Sequence, residues 1–450
     1  MNPDVGRSLA EFTNTLEFSE LGKEQIEFVK KLALKTVAGI LVGTTIDTGR
    51  NMVRFIKDRK GLPDVGVMGC GFKTNLWNAV FAEGYFAHAS ELEDTRLKRG
   101  GVSWDITTFP LTFPLAEKCH LSGKEMLAAC AAGLEVDART CLHSARHRGL
   151  LIFPGTIGPA AAAAKALKLN VQQTMSAFGL SMSGGAPTHL STATDAHFFE
   201  STAQGLRGLM AAELAQAGFT GNAALSEYLC DLLGKDAVQP EKMVAGLKEH
   251  WHFTEISIKK YPCCFINHRY IDAILSLASK NRVTYDQVDE IEVHISPSHN
   301  VVIRPDPQSV GELQVSIQHL MASAIIDQDV NMSHFATDKI SDPRFRETRS
   351  RVKVVVNPEW KKMGYQEPAR VIVRLKNGRV FTEERTDVTG SPEEPLTLDQ
   401  VKQLYRKYVR GILSDEKVER TMESILDMEN LTDLDPLIDV LTYRQRAAKG

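Results

Sequence analysis

The apolar residues of this chain change their period twice, and that change limits the available folds more than any other feature. In residues 9–43 they recur at helical spacing, and the run closes on glycine. Residues 75–88 form a second apolar-rich segment. Ser122-Gly-Lys-Glu125 has capping-box spacing ahead of an apolar run to Val136. Residues 159–169 are dense in alanine, the best helix former, and so many small side chains imply close helix–helix contact. Residues 202–217 add another alanine-rich helix, ended by Gly218.

After Tyr261-Pro262 the pattern is mixed. Residues 266–279 and 311–327 still read as helices. Residues 288–295 alternate in strand fashion through Ile291, Val293 and Ile295 until Pro297. Residues 352–356, 371–375 and 380–385 also read as strands. The last two are joined at Asn377-Gly378, a pair that tolerates positive φ. From Pro395 the helical period returns. The expected fold is mainly α with a second, α+β domain. Residues 1–258 and 396–450 would form a large helical domain, and residues 259–395 a smaller α+β lid.

Composition narrows the class. A chain of 450 residues exceeds one ordinary domain, and 43% hydrophobic with 24% charged residues can bury a sizeable core. The formal net charge of −3 gives no electrostatic case for nucleic acid or an anionic membrane. No basic-then-apolar leader opens the chain, and the longest apolar run is too short to span a bilayer, so a cytoplasmic protein is expected. The seven cysteines are odd in number and irregularly spaced, which argues against a disulfide framework. Cys263 and Cys264 are adjacent and could bind metal, but small buried residues beside a turn are the simpler expectation. No CxxC, HExxH or EF-hand spacing occurs, so no bound metal is predicted.

Several segments together resemble one family. Residues 84–95 (GYFAHASELEDT) are similar to a stretch with a histidine and an acidic DFDDT-like end. Residues 122–139, 155–169 and 208–221 resemble the helices that follow, and residues 390–398 the start of a closing helical part. The sharpest match is KKYPCCFINHRYIDA, residues 259–273. On these segments the chain resembles the MmgE/PrpD family, which includes 2-methylcitrate dehydratases, cis-aconitate decarboxylase and iminodisuccinate epimerase. The resemblance implies a homodimer with its active site between a helical and a lid domain. It also implies a small di- or tricarboxylic acid as substrate and no cofactor.

Such reactions move a proton next to a carboxylate, which takes a base and cations that stabilise enolate-like charge. By resemblance, Thr95 matches the motif threonine, while Glu91 and Asp94 hold its acidic positions. Lys259, or Lys260 one residue on, matches a lysine that would hold a substrate carboxylate, and His268 a histidine. The pattern also departs from the family. Usual histidine positions fall near Gly101 and Gly149, a lysine position falls on His197, the histidine after it on Glu200, and a tyrosine on His319. His147, His197 and His319 are therefore candidate acid–base groups. Arg96, Arg99, Arg146 and Arg148 are candidate carboxylate contacts, since a guanidinium can bind a carboxylate bidentately. The reaction expected first is a dehydration or decarboxylation by a lyase. An isomerase of the same fold, or an inactive binding homologue, would use the same scaffold.

Overall fold

A computed structural model describes residues 3–96, 103–143, 156–184, 194–362 and 367–443. Arg99, Arg146, His147 and Arg148 lie outside the described residues. The chain divides into two compact units: Met1–Ile256 with Thr397–Gly450, and Ser257–Leu396. The fold is mainly helical with a small mixed sheet, as the period pattern predicts.

In the first unit, the apolar run of residues 9–43 becomes two helices, α1 (Val5–Thr15) and α2 (Lys23–Gly43). Extended backbone at Leu16 and Glu17, and a short 3-10 turn capped reciprocally by Glu17 and Glu20, interrupt the period. Helix α3 (Leu76–Ala89) starts on an Asn75 cap, whose side chain accepts the Asn78 N–H. Helix α4 (Asp105–Cys119) was not predicted, because Pro110 and Pro114 lie inside it. Helix α5 (Gly123–Leu142) begins on Ser122 with the expected capping box, and runs one and a half turns past Val136. The alanine-rich segment is α6 (Ile157–Ala166), followed by α7 (Val171–Met182) and α8 (Asp195–Gln216).

Small residues set how closely these helices approach. A Cβ on Gly43 would lie 2.1 Å from the Phe86 carbonyl oxygen of α3, and one on Gly158 would lie 2.5 Å from the Gly133 carbonyl oxygen of α5. Helices α5 and α6 pack together, α3 packs on α2 and α8, and α8 also packs on α6 and α7.

In the second unit, helix α9 (His268–Asn281) covers a four-stranded sheet. Its strands are β1 (Val288–Ile295), β2 (Val352–Val356), β3 (Ala369–Leu375) and β4 (Val380–Arg385), in spatial order β2-β1-β3-β4. Strands β1 and β2 are parallel, and the other pairs are antiparallel. Only Gly378 of the β3–β4 turn takes positive φ, at 86°. The Gly378 N–H donates to Leu375 O and the Leu375 N–H to Arg379 O, so the hairpin has a three-residue loop rather than a two-residue Asn-Gly turn. The predicted helix 311–327 is broken at Ser316, whose hydroxyl caps α10 (Ile317–Asp327) through the His319 N–H. The chain then returns to the first unit, where α11 (Leu398–Val409) packs on α2.

Among the described residues no helix is long and apolar enough to cross a membrane. Their cysteines are free thiols, with Cys263 buried and Cys264 partly exposed.

Candidate active site

The last turn of α3 and the segment after it bring an unusual amount of charge indoors. Glu91, Glu93, Asp94 and Thr95 are all buried, as is His88 just before them. Glu91 takes a left-handed backbone, φ 55°, which turns the chain sharply out of the helix. Its N–H still donates to His88 O at 2.9 Å. The turn is anchored behind by Ser90, whose hydroxyl donates to Ala87 O and accepts the Leu92 N–H.

Asp105, at the start of α4, ties the segment down. Its Oδ2 accepts the Asp94 N–H at 3.1 Å and the Thr36 hydroxyl at 3.2 Å. Burial pushes its carboxyl up to about 6, against these hydrogen bonds and the charge of buried Lys35. Thr95 Oγ1 and Ser103 Oγ share a hydrogen bond of 2.6 Å. Arg96 is ion-paired with Glu255, which also accepts from His252 Nδ1 at 2.9 Å.

The first turn of α8 completes the group. The His197 ring stands 4.4 Å from that of His88, tilted by 61°. His197 Nδ1 is 3.1 Å from Glu200 Oε2, and His88 Nδ1 is 3.0 Å from Ser201 Oγ. Ligand-type atoms of His88, Glu91 and His197 all lie within 4.8 Å of one another. Burial by itself would lower the His197 pKa. The hydrogen bond to Glu200 and the charges of Glu91, Glu200 and Glu93 outweigh it, so the imidazole is held above its usual value. It therefore keeps its proton to higher pH than an ordinary imidazole.

The other sequence candidates are in the second unit. Lys259 is buried, following Ile258, whose N–H donates to Gly390 O. Lys260 is partly exposed and ion-paired with Asp272 at 3.3 Å, and the same carboxylate accepts the Tyr261 hydroxyl at 2.8 Å. His268 is fully buried between Tyr261 and Phe265, at ring distances of 5.2 and 4.8 Å. His319 is buried too, with Nε2 2.8 Å from the His334 carbonyl oxygen and Nδ1 3.4 Å from Arg349 Nη1. Burial depresses its pKa to about 3, so it is a neutral imidazole holding α10 to its surroundings.

Of the predicted residues, Glu91 and His197 are thus brought together, with Asp94, Thr95 and Arg96 on the same segment as Glu91. The sequence reading did not nominate His88, Glu200 or Ser201. A signal for them exists: His-x-x-Glu occurs at His88–Glu91, His197–Glu200 and His252–Glu255. In α8 the three-residue spacing puts His197 and Glu200 on one face.

Comparison with known proteins places the chain. A model of the MmgE/PrpD N-terminal domain matches residues 7–229, and one of the MmgE/PrpD C-terminal domain matches residues 261–429. The chain belongs to the MmgE/PrpD family. Two proteins called cis-aconitate decarboxylase, from Homo sapiens and Mus musculus, are each 24% identical to it. Both alignments cover 98% of this chain, with 95% and 94% of the relatives' own lengths. A third of that name, from Aspergillus terreus, is 23% identical over 97% of this chain and 96% of its own. Within the MmgE/PrpD frame, the Glu91–His197 group lies wholly in the N-terminal domain match. Lys259 and Lys260 immediately precede the C-terminal one.

Proposed function

We propose that this MmgE/PrpD protein is a lyase, a decarboxylase or dehydratase of a small di- or tricarboxylic acid. The observation that carries the reading is the buried pairing of Glu91 with His197. The full-length likeness to proteins called cis-aconitate decarboxylase supports the reaction class.

Glu91 is the base, and His197, kept protonated by Glu200, is the acid. In a dehydration, Glu91 takes the proton next to a carboxylate, and His197 gives its proton to the departing hydroxyl, which leaves as water. In a decarboxylation, the C–C bond breaks, CO₂ leaves, and the electron pair remaining on carbon takes the proton from His197. Lys259 is assigned to a substrate carboxylate, where its ammonium stabilises enolate-like charge. Neither route requires a redox or organic cofactor. Homodimer formation belongs to the same proposal, and sedimentation showing a monomer at micromolar concentration would remove it.

The test is incubation with candidate di- and tricarboxylates in D₂O, followed by NMR. Loss of CO₂ or water is expected. Deuterium uptake without either loss would replace the lyase by an isomerase. No change in any of these acids would leave a binding protein.

A further inference from the structure

The group that carries the proposed proton transfers has a second capacity. His88 and His197 each offer an imidazole nitrogen, and Glu91 a carboxylate oxygen, all within 4.8 Å of one another. Bound first-row ions hold such atoms at about 2.0–2.2 Å, which sets neighbouring ligands roughly 3–4 Å apart. Closing on an ion therefore needs paired ligand atoms to approach by up to roughly 1–2 Å, within reach of side-chain rotation.

Each ring already has a hydrogen-bond partner on one nitrogen, Nδ1, which leaves Nε2 to face an ion. Ser201 Oγ engages His88 Nδ1 at 3.0 Å, and Glu200 Oε2 engages His197 Nδ1 at 3.1 Å. A carboxylate or hydroxyl on one ring nitrogen is how metal-binding histidines are fixed and made more basic. Glu200 is more than nine-tenths buried, and its other oxygen, Oε1, has no hydrogen-bond partner among the described residues. The charges of Glu91, Glu93 and Glu200 all act on His197, so the local field favours a dication.

The donor set then decides which dication. Mg²⁺ and Ca²⁺ prefer oxygen ligands throughout, whereas two imidazoles with one carboxylate suit first-row transition ions and leave positions for water or substrate. Two other groups of similar spacing are less suited. In His250, His252 and Glu255, the carboxylate is already ion-paired with Arg96. His120 and Asp433 are exposed, so both would give up full hydration.

The geometry points to a binding site for a divalent first-row transition ion, Zn²⁺ or a close relative, held by His88, Glu91 and His197. The effect on turnover, though not the binding, rests on the reaction proposed above. A carboxylate and an imidazole bonded to the ion can no longer exchange protons, so occupancy stops the acid–base chemistry. The ion and the reaction compete for the same two side chains.

Binding is measured without substrate. The full chain is stripped with a chelator and dialysed, then titrated with Co²⁺ for its visible absorption and with Zn²⁺ by equilibrium dialysis. One ion per chain is expected. His197→Ala and Glu91→Gln should each weaken binding at least tenfold with unfolding temperatures near that of the parent, while His252→Ala should leave it unchanged. Absence of saturable binding overturns the site. So does a loss confined to His252→Ala. If the stripped protein turns over and one equivalent of Zn²⁺ stops it, both the site and its effect stand. If the stripped protein is inactive and Zn²⁺ restores it, the site stands and the metal-free reading of the reaction falls.

Discussion

At the scale of single residues, the proposed reaction rests on Glu91 and on His197 with its hydrogen bond to Glu200. On the proposed assignments, removing Glu91 or Lys259 acts on the transition state. Glu91→Gln should lower kcat by about 10²–10⁴, the usual contribution of a positioned acid or base. Lys259→Ala should abolish measurable turnover while the circular dichroism spectrum stays that of the parent. An active Lys259→Ala protein would remove that assignment. Glu200 acts through His197 and is a positioning residue, so it has a different signature. Burial depresses His197, and Glu200 is the first of the groups that raise it. Loss of the imidazolium proton should give the alkaline limb of the pH–rate profile. In Glu200→Gln that limb should move to lower pH, with the maximal rate changed less than the limb. A limb that stays in place would mean that His197 is not the titrating acid. Glu91 and His197 were legible in the sequence because the acidic motif and the departure at 197 draw attention to them. His88 was not, because a lone histidine on an apolar helix reads as core until a second ring is found beside it.

At the scale of elements, the contact of α5 with α6 carries the clearest consequence. Asp137 is fully buried there, with Oδ1 accepting the Gly158 N–H at 2.7 Å. Burial pushes its carboxyl up to about 8, so the folded protein keeps it protonated at neutral pH. The unfolded chain ionises it near the ordinary aspartate value of 3.8. The stability it confers is therefore full below about pH 4 and is lost as pH rises toward 8. Asp137→Asn mimics the protonated carboxyl and should flatten that fall. The unfolding midpoints of variant and parent should diverge from pH 5 to pH 8, with the variant ahead at the alkaline end. Parallel curves would show that Asp137 does not titrate in this window. A capping signal made the start of α5 readable, because a cap and its partner are three residues apart. Helix α4 escaped because its prolines argue locally against a helix that packing on α3 and α6 nonetheless stabilises. The break at Ser316 was hidden for a related reason: Leu313, Ile317, Leu320 and Ala324 keep helical spacing across it.

At the scale of the whole molecule, two units with separate cores are formed by one chain that leaves the first and returns to it. The second unit has its own buried set, including Ile271 and Ile274 of α9, Ile291 and Val293 of β1, Val371 and Val373 of β3, and Leu320 of α10. Among the described residues its strands pair only with one another, and β4 forms a half-exposed edge carrying Glu383, Glu384 and Arg385, charges that discourage edge-to-edge association. A fragment of residues 257–396 should therefore fold alone, with a cooperative thermal transition and strand-and-helix circular dichroism. A broad, non-cooperative melt would show that its core depends on the rest of the chain.

The sequence by itself determined the helical character of both chain ends, the four strands, the Ser122 cap and the family resemblance. These rest on period, on residues a few positions apart and on the order of motifs, all of which survive without coordinates. Only the tertiary structure decided that His197 of α8 stands against His88 of α3, with Glu91 turned out beside them on a left-handed backbone. It alone decided that His319, an equal candidate in the sequence, is a buried neutral anchor bound to the His334 carbonyl oxygen. The physical reason is that proton affinity and ligand geometry depend on neighbours supplied by other helices. Burial and opposing charge come from packing, and no local pattern of residues records them.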